Sequence, residues 1–256
     1  YDPFDVFGTA YGQKVIKNRT AVTFLGRIPL WLGMRHAPIL IRRLLKTNRR
    51  AAAGGVANLA SLYSQLGGEE NLRKSRAHLE WLLRTATRAE GYVGWGFPYP
   101  WLHKTFLPAG TPIGHTTMTC GNAFLRYYEA TGDDWAREPL VLLSHFFDRG
   151  LKKTQRASGS IALSYTPTDQ TQVINVQADN GSFLIRAGNR LGLPQYAELG
   201  KKAIACVLET QNPDGSWYYS TFDSVGKPTF IDNHHTGMVL SSLAEVHAEC
   251  DPDDPL

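Results

Sequence analysis

Gln211-Asn212-Pro213-Asp214-Gly215-Ser216-Trp217-Tyr218-Tyr219, followed by Ile231-Asp232-Asn233-His234-His235-Thr236-Gly237, decides how this chain reads. A helical pattern ends before Asn212. Pro213, Asp214 and Gly215 supply turn chemistry. Three aromatics follow, and a second helix opens near Asp232 and Asn233, residue types that cap exposed N–H groups. One outgoing helix, one aromatic loop and one returning helix thus carry polar groups at a shared end.

The rest of the chain repeats this unit. Helical spacing predicts a short helix over 39–50 and longer ones over 51–66, 69–88, 116–131, 135–151, 175–191, 195–210 and 234–249; residues 1–20 read as irregular. Helix stops fall at Gly67, Gly132 and Gly192, and aromatic loops centre on Trp95, Tyr165 and Trp217, each after the second helix of a pair. A two-helix unit of about 60 residues is an α-hairpin repeat. No alternating strand pattern of any length appears. Such hairpins stack into an open solenoid or curl into a toroid. Small residues on the first helices (Ala51 to Gly55, Gly114, Gly121, Gly181, Gly237) favour close inner packing. The expected fold is therefore all-α: a single (α/α) toroid over 1–256, with 1–50 a basic N-terminal extension or first hairpin.

The formal charge of +4 hides an asymmetry: residues 1–50 hold ten Lys/Arg against two Asp/Glu, the remainder 17 against 21. A basic leading segment can be a solvated face or can meet an anionic surface. A peripheral membrane or complex contact is the partner it suggests, and no nucleic acid is expected. The apolar stretch from Ala21 to Leu45 is broken by Arg27, Pro29, Arg35, His36, Pro38, Arg42 and Arg43, short of the ~20 apolar residues a span needs. The sequence lacks an initiator Met and a signal-peptide pattern, so its natural start is expected upstream. Cys120, Cys206 and Cys250 have no paired spacing; they read as packing residues and point to a cytoplasmic setting. No metal or cofactor is expected, because neither a His-Glu-x-x-His motif nor a Cys pair accompanies the histidines.

Three phrases carry a resemblance: Gly110-Thr111-Pro112, Leu163-Ser164-Tyr165-Thr166-Pro167-Thr168-Asp169, and the opening stretch with its His234-His235-Thr236 sequel. In that order they resemble six-hairpin proteins associated with bacterial and archaeal polysaccharide biosynthesis. The His-His-Thr phrase is also similar to a Tyr-His-Thr phrase of glucuronyl C5-epimerases, and Asp-Gly-Ser-Trp is shared with prenyltransferase and squalene-cyclase repeats. The resemblance implies an (α/α) toroid in a carbohydrate setting.

In a toroid the inner helices run parallel, so their N-termini and the loops leading into them share one mouth. Polar groups there bond hydroxyls, aromatic faces stack on sugar rings, and inward-aimed N-termini favour an anion. The expected partner is an acidic polysaccharide or oligosaccharide. The leading reading is an enzyme on uronic acids, a C5-epimerase or lyase that removes the proton α to the carboxylate. Tyr165, Asn175, His234, His235 and Tyr218 are its candidate catalytic residues. Trp95, Tyr99, His115, Asn122, Trp217, Asp232 and Asn233 are its candidate substrate contacts. Each has a plainer role open to it: caps for Asn175, Asp232 and Asn233, core packing for Trp217, a loop staple for Tyr165. The alternatives are a glycoside hydrolase using Asp169, Asp179 or Asp232 as carboxylates, and a non-catalytic glycan-binding scaffold. A terpene cyclase comes last.

Overall fold

The computed structural model describes residues 6, 9–17, 21–47, 50–89, 91–102, 106–221 and 229–250. The architecture is an all-α toroid arc with two layers. Three helices lead: α1 (Ala10–Lys17), α2 (Ala21–His36) and α3 (Pro38–Leu44). Then come hairpins of α4 (Ala53–Leu66) with α5 (Glu69–Thr85), α6 (Gly114–Thr131) with α7 (Arg137–His145), and α8 (Ile174–Leu191) with α9 (Pro194–Leu208). α10 (Asn233–Glu249) closes the described series. The inner layer is α4, α6, α8 and α10, each packed on the next; α5, α7 and α9 back it.

The helix ends follow local chemistry. Gly132 and Gly192 stop α6 and α8 at φ +64° and +67°, a left-handed geometry that costs glycine nothing. Gly67 stops α4. Asp133 accepts a bond from Trp135 N–H and starts the next segment, which runs through a 3₁₀ turn, α7 and a π turn over Phe146–Gly150 rather than one uniform helix.

Between the layers lies one apolar core that includes Leu79, Leu82, Trp95, Phe124, Leu140, Phe146, Phe147 and Phe183. Helices approach closely where glycine faces the neighbour: a Cβ on Gly121 of α6 would sit 2.6 Å from the Phe183 ring of α8, and one on Gly181 of α8 2.9 Å from Ile204 of the outer helix α9. Gly54, Gly55 and Gly237 face open space instead, on the two end helices of the arc.

Three features differ from the sequence reading. Residues 10–17 and 21–36 are helical, and the short helix stops at Leu44, where Lys46 turns to φ +49°. Three two-stranded antiparallel hairpins exist: β1 (Thr87–Ala89) with β2 (Tyr92–Gly94), β3 (Trp101–Leu102) with β4 (Phe106–Leu107), and β5 (Lys153–Gln155) with β6 (Ile161–Leu163). Strands of two or three residues are too short to leave an alternation in sequence. The acidic tail 251–256 lies outside the described residues.

Candidate functional site

The concave side of the arc carries a ladder of polar contacts between successive inner helices. His115 on α6 faces Asp179 on α8, with Nδ1 3.3 Å from Oδ2. Ser242 on α10 donates to the other oxygen of Asp179 at 2.7 Å. Arg186 on α8 donates to Asn122 Oδ1 on α6 at 2.7 Å and pairs with Glu245 on α10 at 3.2 Å. Ser182 donates to Glu245 at 2.8 Å. Asn175 directs its amide to Met238 Sδ at 3.6 Å. Each of these helix-to-helix hydrogen bonds joins residues 63 or 64 apart, while the Arg186–Glu245 ion pair spans 59. A constant interval requires parallel helices in constant register.

The helix period explains the ladder. Positions 115, 119, 122 and 126 fall on one face of α6, and 175, 179, 182 and 186 on one face of α8. Both stripes are polar and both turn to the lumen. Asp179 and Arg186 are two turns apart, about 10 Å along the axis. Two adjoining pockets follow this face, about 210 Å³ beside His115, Asp179, Ser242 and Glu245 and about 290 Å³ beside Asn58, Gln65, Thr119 and Arg126. Met118 and Asn122 line both.

Burial pulls the Arg186 guanidinium below its ordinary value, and Glu245 and Glu129 oppose that shift. Its Nε, with Asn175 Oδ1 and Asn180 Oδ1, is buried without a hydrogen-bond partner among the described residues. Such groups are where a polar ligand or water finds bonds. Among the described residues no three His, Cys, Asp or Glu side chains group as a metal site.

Above the ladder lies the mouth formed by the aromatic loops. Tyr165 carbonyl accepts from Gly114 N–H at 3.0 Å and Tyr219 carbonyl from Ile174 N–H at 2.9 Å. Thus the aromatic loops that follow α7 and α9 occupy the starts of α6 and α8. This corrects the expectation that those two N–H groups aim freely at an anion. Asp232 caps α10, accepting from His235 N–H, and also meets His235 Nδ1 at 2.7 Å. Those bonds hold the Asp232 carboxyl below the usual carboxylate range. The His235 ring stands edge-on to Tyr219 at 4.7 Å. Burial pushes the Tyr165 and Tyr219 phenols up.

The sequence candidates divide. His115, Asn122 and Asn175 join the groove. Asp232 and His235 form a pair at the mouth with Tyr219. Tyr165 is buried in a cluster with Ile113, Val173 and Val176, bordered by Phe97, Trp101 and Tyr219. Tyr99 stacks on Phe97 at 5.5 Å. His234 and Asn233 are exposed, with His234 touching the His235 ring.

Trp95 and Trp217 are corrections. Each is 2% exposed and gives its indole N–H to an outer-helix carbonyl, Leu82 and Val207 respectively, so no ring face is left for a sugar. The phenol against His235 belongs to Tyr219, the neighbour of the candidate Tyr218. Gln177 holds Leu163 N–H and Ile161 carbonyl and so pins β6 to α8. Arg186, Ser242 and Glu245 are not among the sequence candidates. The polar stripe 175, 179, 182, 186 was the signal for the first.

No protein-family model and no curated protein matches the chain. Solved structures do match in fold. The unsaturated glucuronyl hydrolase from Bacillus sp. GL1 is 17% identical, with TM-score 0.58, over 100% of this chain and 70% of its own. The GH76A α-1,6-mannanase from Salegentibacter sp. HEL1_6 is 17% identical, with TM-score 0.56, over 77% of this chain and 53% of its own. The GH76 mannosidase Bt3792 from Bacteroides thetaiotaomicron is 11% identical, with TM-score 0.55, over 77% and 54%. The chain thus shares their toroid fold and spans about half the length of the two GH76 structures.

Proposed function

We propose that this chain is a carbohydrate-active enzyme of glycoside hydrolase type, with the α6–α8–α10 groove as its glycan site. One observation carries the reading: Asp179 stands between Ser242 and His115 in the same pocket as a second carboxylate, Glu245. Glycoside hydrolysis needs one carboxyl to protonate the leaving oxygen and another to activate water or attack the anomeric carbon. Ser242 fixes one oxygen of Asp179 and leaves the other to exchange a proton. His115 lies beside that second oxygen, with Nδ1 3.3 Å away. Two turns deeper, the Arg186 guanidinium, whose Nε has no partner among the described residues, puts a positive charge behind the groove, which keeps an acidic oligosaccharide as the substrate class. The mannanase and glucuronyl hydrolase folds support the hydrolase over the epimerase or lyase.

The test is release of new reducing ends from a panel of uronic-acid, unsaturated-uronyl and α-1,6-manno-oligosaccharides. Activity is expected on at least one uronyl substrate. Asp179→Asn should lower it by about 100-fold or more, with His115→Ala also impaired. Wild-type protein that releases no reducing ends from any of them would end this reading.

The second reading, C5 proton removal from a uronate, has its own observation in the Asp232–His235 pair set against Tyr219. There His235 is the base and the Tyr219 phenol the acid. Solvent deuterium at C5 marks epimerisation, and new ultraviolet absorbance marks a lyase. Either signal, lost in His235→Ala and kept in Asp179→Asn, would favour this reading over hydrolysis.

A further inference from the structure

The leading helices are built inside out. On α2 the inward face is made of Leu30, Gly26 and Gly33, with Cβ positions on the two glycines running into Val15 and Ile41. The outward face carries Leu25, Ile28, Trp31 and Leu32, and α3 adds Ile39, Leu40 and Leu44. These seven large apolar side chains are each 41–67% exposed, and they lie within twenty consecutive residues. An ordinary surface helix has the reverse arrangement.

Charge runs with this face. No Asp or Glu occurs between Asp5 and Glu69, while the same stretch holds ten Lys and Arg. Lys14, Arg35, Arg43 and Lys46 are exposed, and the Arg35 guanidinium lies 5.4 Å from the Trp31 ring centroid. No helix among the described residues is long and apolar enough to cross a membrane. The hairpin is tied to the body where Gln13 reaches the carbonyl of Pro100 and Arg50 that of Pro98. It therefore sits beside the Phe97–Trp101 aromatics of the mouth.

We propose that the outward face of α2 and α3 docks on an anionic lipid surface, with Leu25, Ile28, Trp31, Leu32, Ile39, Leu40 and Leu44 in the headgroup boundary and the basic side chains on lipid phosphates. An amphipathic helix that cannot span lies in the interface plane, held by apolar burial and by attraction to acidic headgroups. A second copy is a poor occupant of this face, because it would bring an equally basic, acid-free segment against it. Nucleic acid would engage the cations but has no use for a leucine and tryptophan face. The docking surface is separate from the groove and stands whether or not the groove hydrolyses glycans.

Flotation of the full chain with vesicles tests this. One set is phosphatidylcholine alone, and the other contains about 30% phosphatidylserine. Wild-type protein should float with the anionic vesicles and stay in solution with the neutral ones. The double variant Trp31→Ser with Leu32→Ser should reduce the floated fraction about tenfold, as should Arg43→Glu with Lys46→Glu. Circular dichroism should show wild-type melting for both. Ile39→Ser with Leu40→Ser probes the same face should the first pair unfold. The proposal is overturned if wild-type protein never floats, or if it floats equally with the folded variants. It is equally overturned if light scattering shows a dimer that Trp31→Ser with Leu32→Ser dissolves in the absence of flotation, or if duplex DNA binds where vesicles do not.

Discussion

Asn122 and Arg186, sixty-four positions apart, are joined by a 2.7 Å hydrogen bond across two parallel inner helices. That interval, repeated from His115 to Asp179 and nearly so from Asp179 to Ser242, turns a hairpin repeat into one polar groove. Arg186 then continues to Glu245, so a single guanidinium links three inner helices.

Replacing Arg186 with Leu should destabilise the fold by about 1–3 kcal/mol in urea denaturation, because it leaves the half-buried Asn122 oxygen without its donor and Glu245 without its ion-pair partner. Glu245→Gln should cost less, since Glu245 is 43% exposed and its pairing is screened. Equal losses from the two changes would contradict the asymmetry in burial.

Trp217→Ala should cost about 3–5 kcal/mol, as removal of a buried aromatic does. Tyr99→Ala, on a half-buried ring at the mouth, should change stability by no more than about 1 kcal/mol and weaken oligosaccharide binding. Thermal melts paired with calorimetric titration separate the two effects. A Trp217→Ala protein that melts like wild type would remove the assignment of that indole to the core.

Glycines of the inner helices should respond with opposite signs. Gly121→Ala drives a methyl into the Phe183 ring and should destabilise by about 1–3 kcal/mol. Gly237→Ala meets nothing within 4 Å and should stabilise α10 by about 0.5–1 kcal/mol through helix propensity. Chemical denaturation of both variants checks the pair of signs.

The Asp232 carboxyl is held below its ordinary value by its bonds to His235. A depressed folded value means stability that is fully present above the unfolded carboxylate range, about pH 4, and that fades as pH falls through the lower folded value. Melting curves of wild type and Asp232→Ala should therefore differ at neutral pH and converge in acid. A gap that persists unchanged to pH 2 would show that the carboxylate bond is not its source.

Local signals carried far along this chain. Gly67, Gly132 and Gly192 stop helices because glycine alone enters the left-handed turn freely, and that preference needs no neighbour. The helices between them follow from 3.6-residue periodicity. Residues 10–36 carry no such signal, because apolar side chains on the outer face of α2 and glycines on the inner face erase the usual pattern. The short hairpins of β1 to β6 are defined by pairing, which leaves no trace in strands of two or three residues.

The sequence by itself determined the repeat, the glycine stops of α4, α6 and α8 and the all-α toroid class, since the helices and their stops rest on residues within a few turns of one another. Tertiary structure alone decided that Trp95 and Trp217 pack inward, that Tyr219 rather than Tyr218 meets His235, and that Asp179, Ser242 and Arg186 converge. The physical reason is register: contacts across 63 or 64 residues depend on how far one helix slides past the next. That offset is set by close packing at glycines such as Gly121 and by loops such as Tyr165 seated on helix starts, and no local window of sequence contains it.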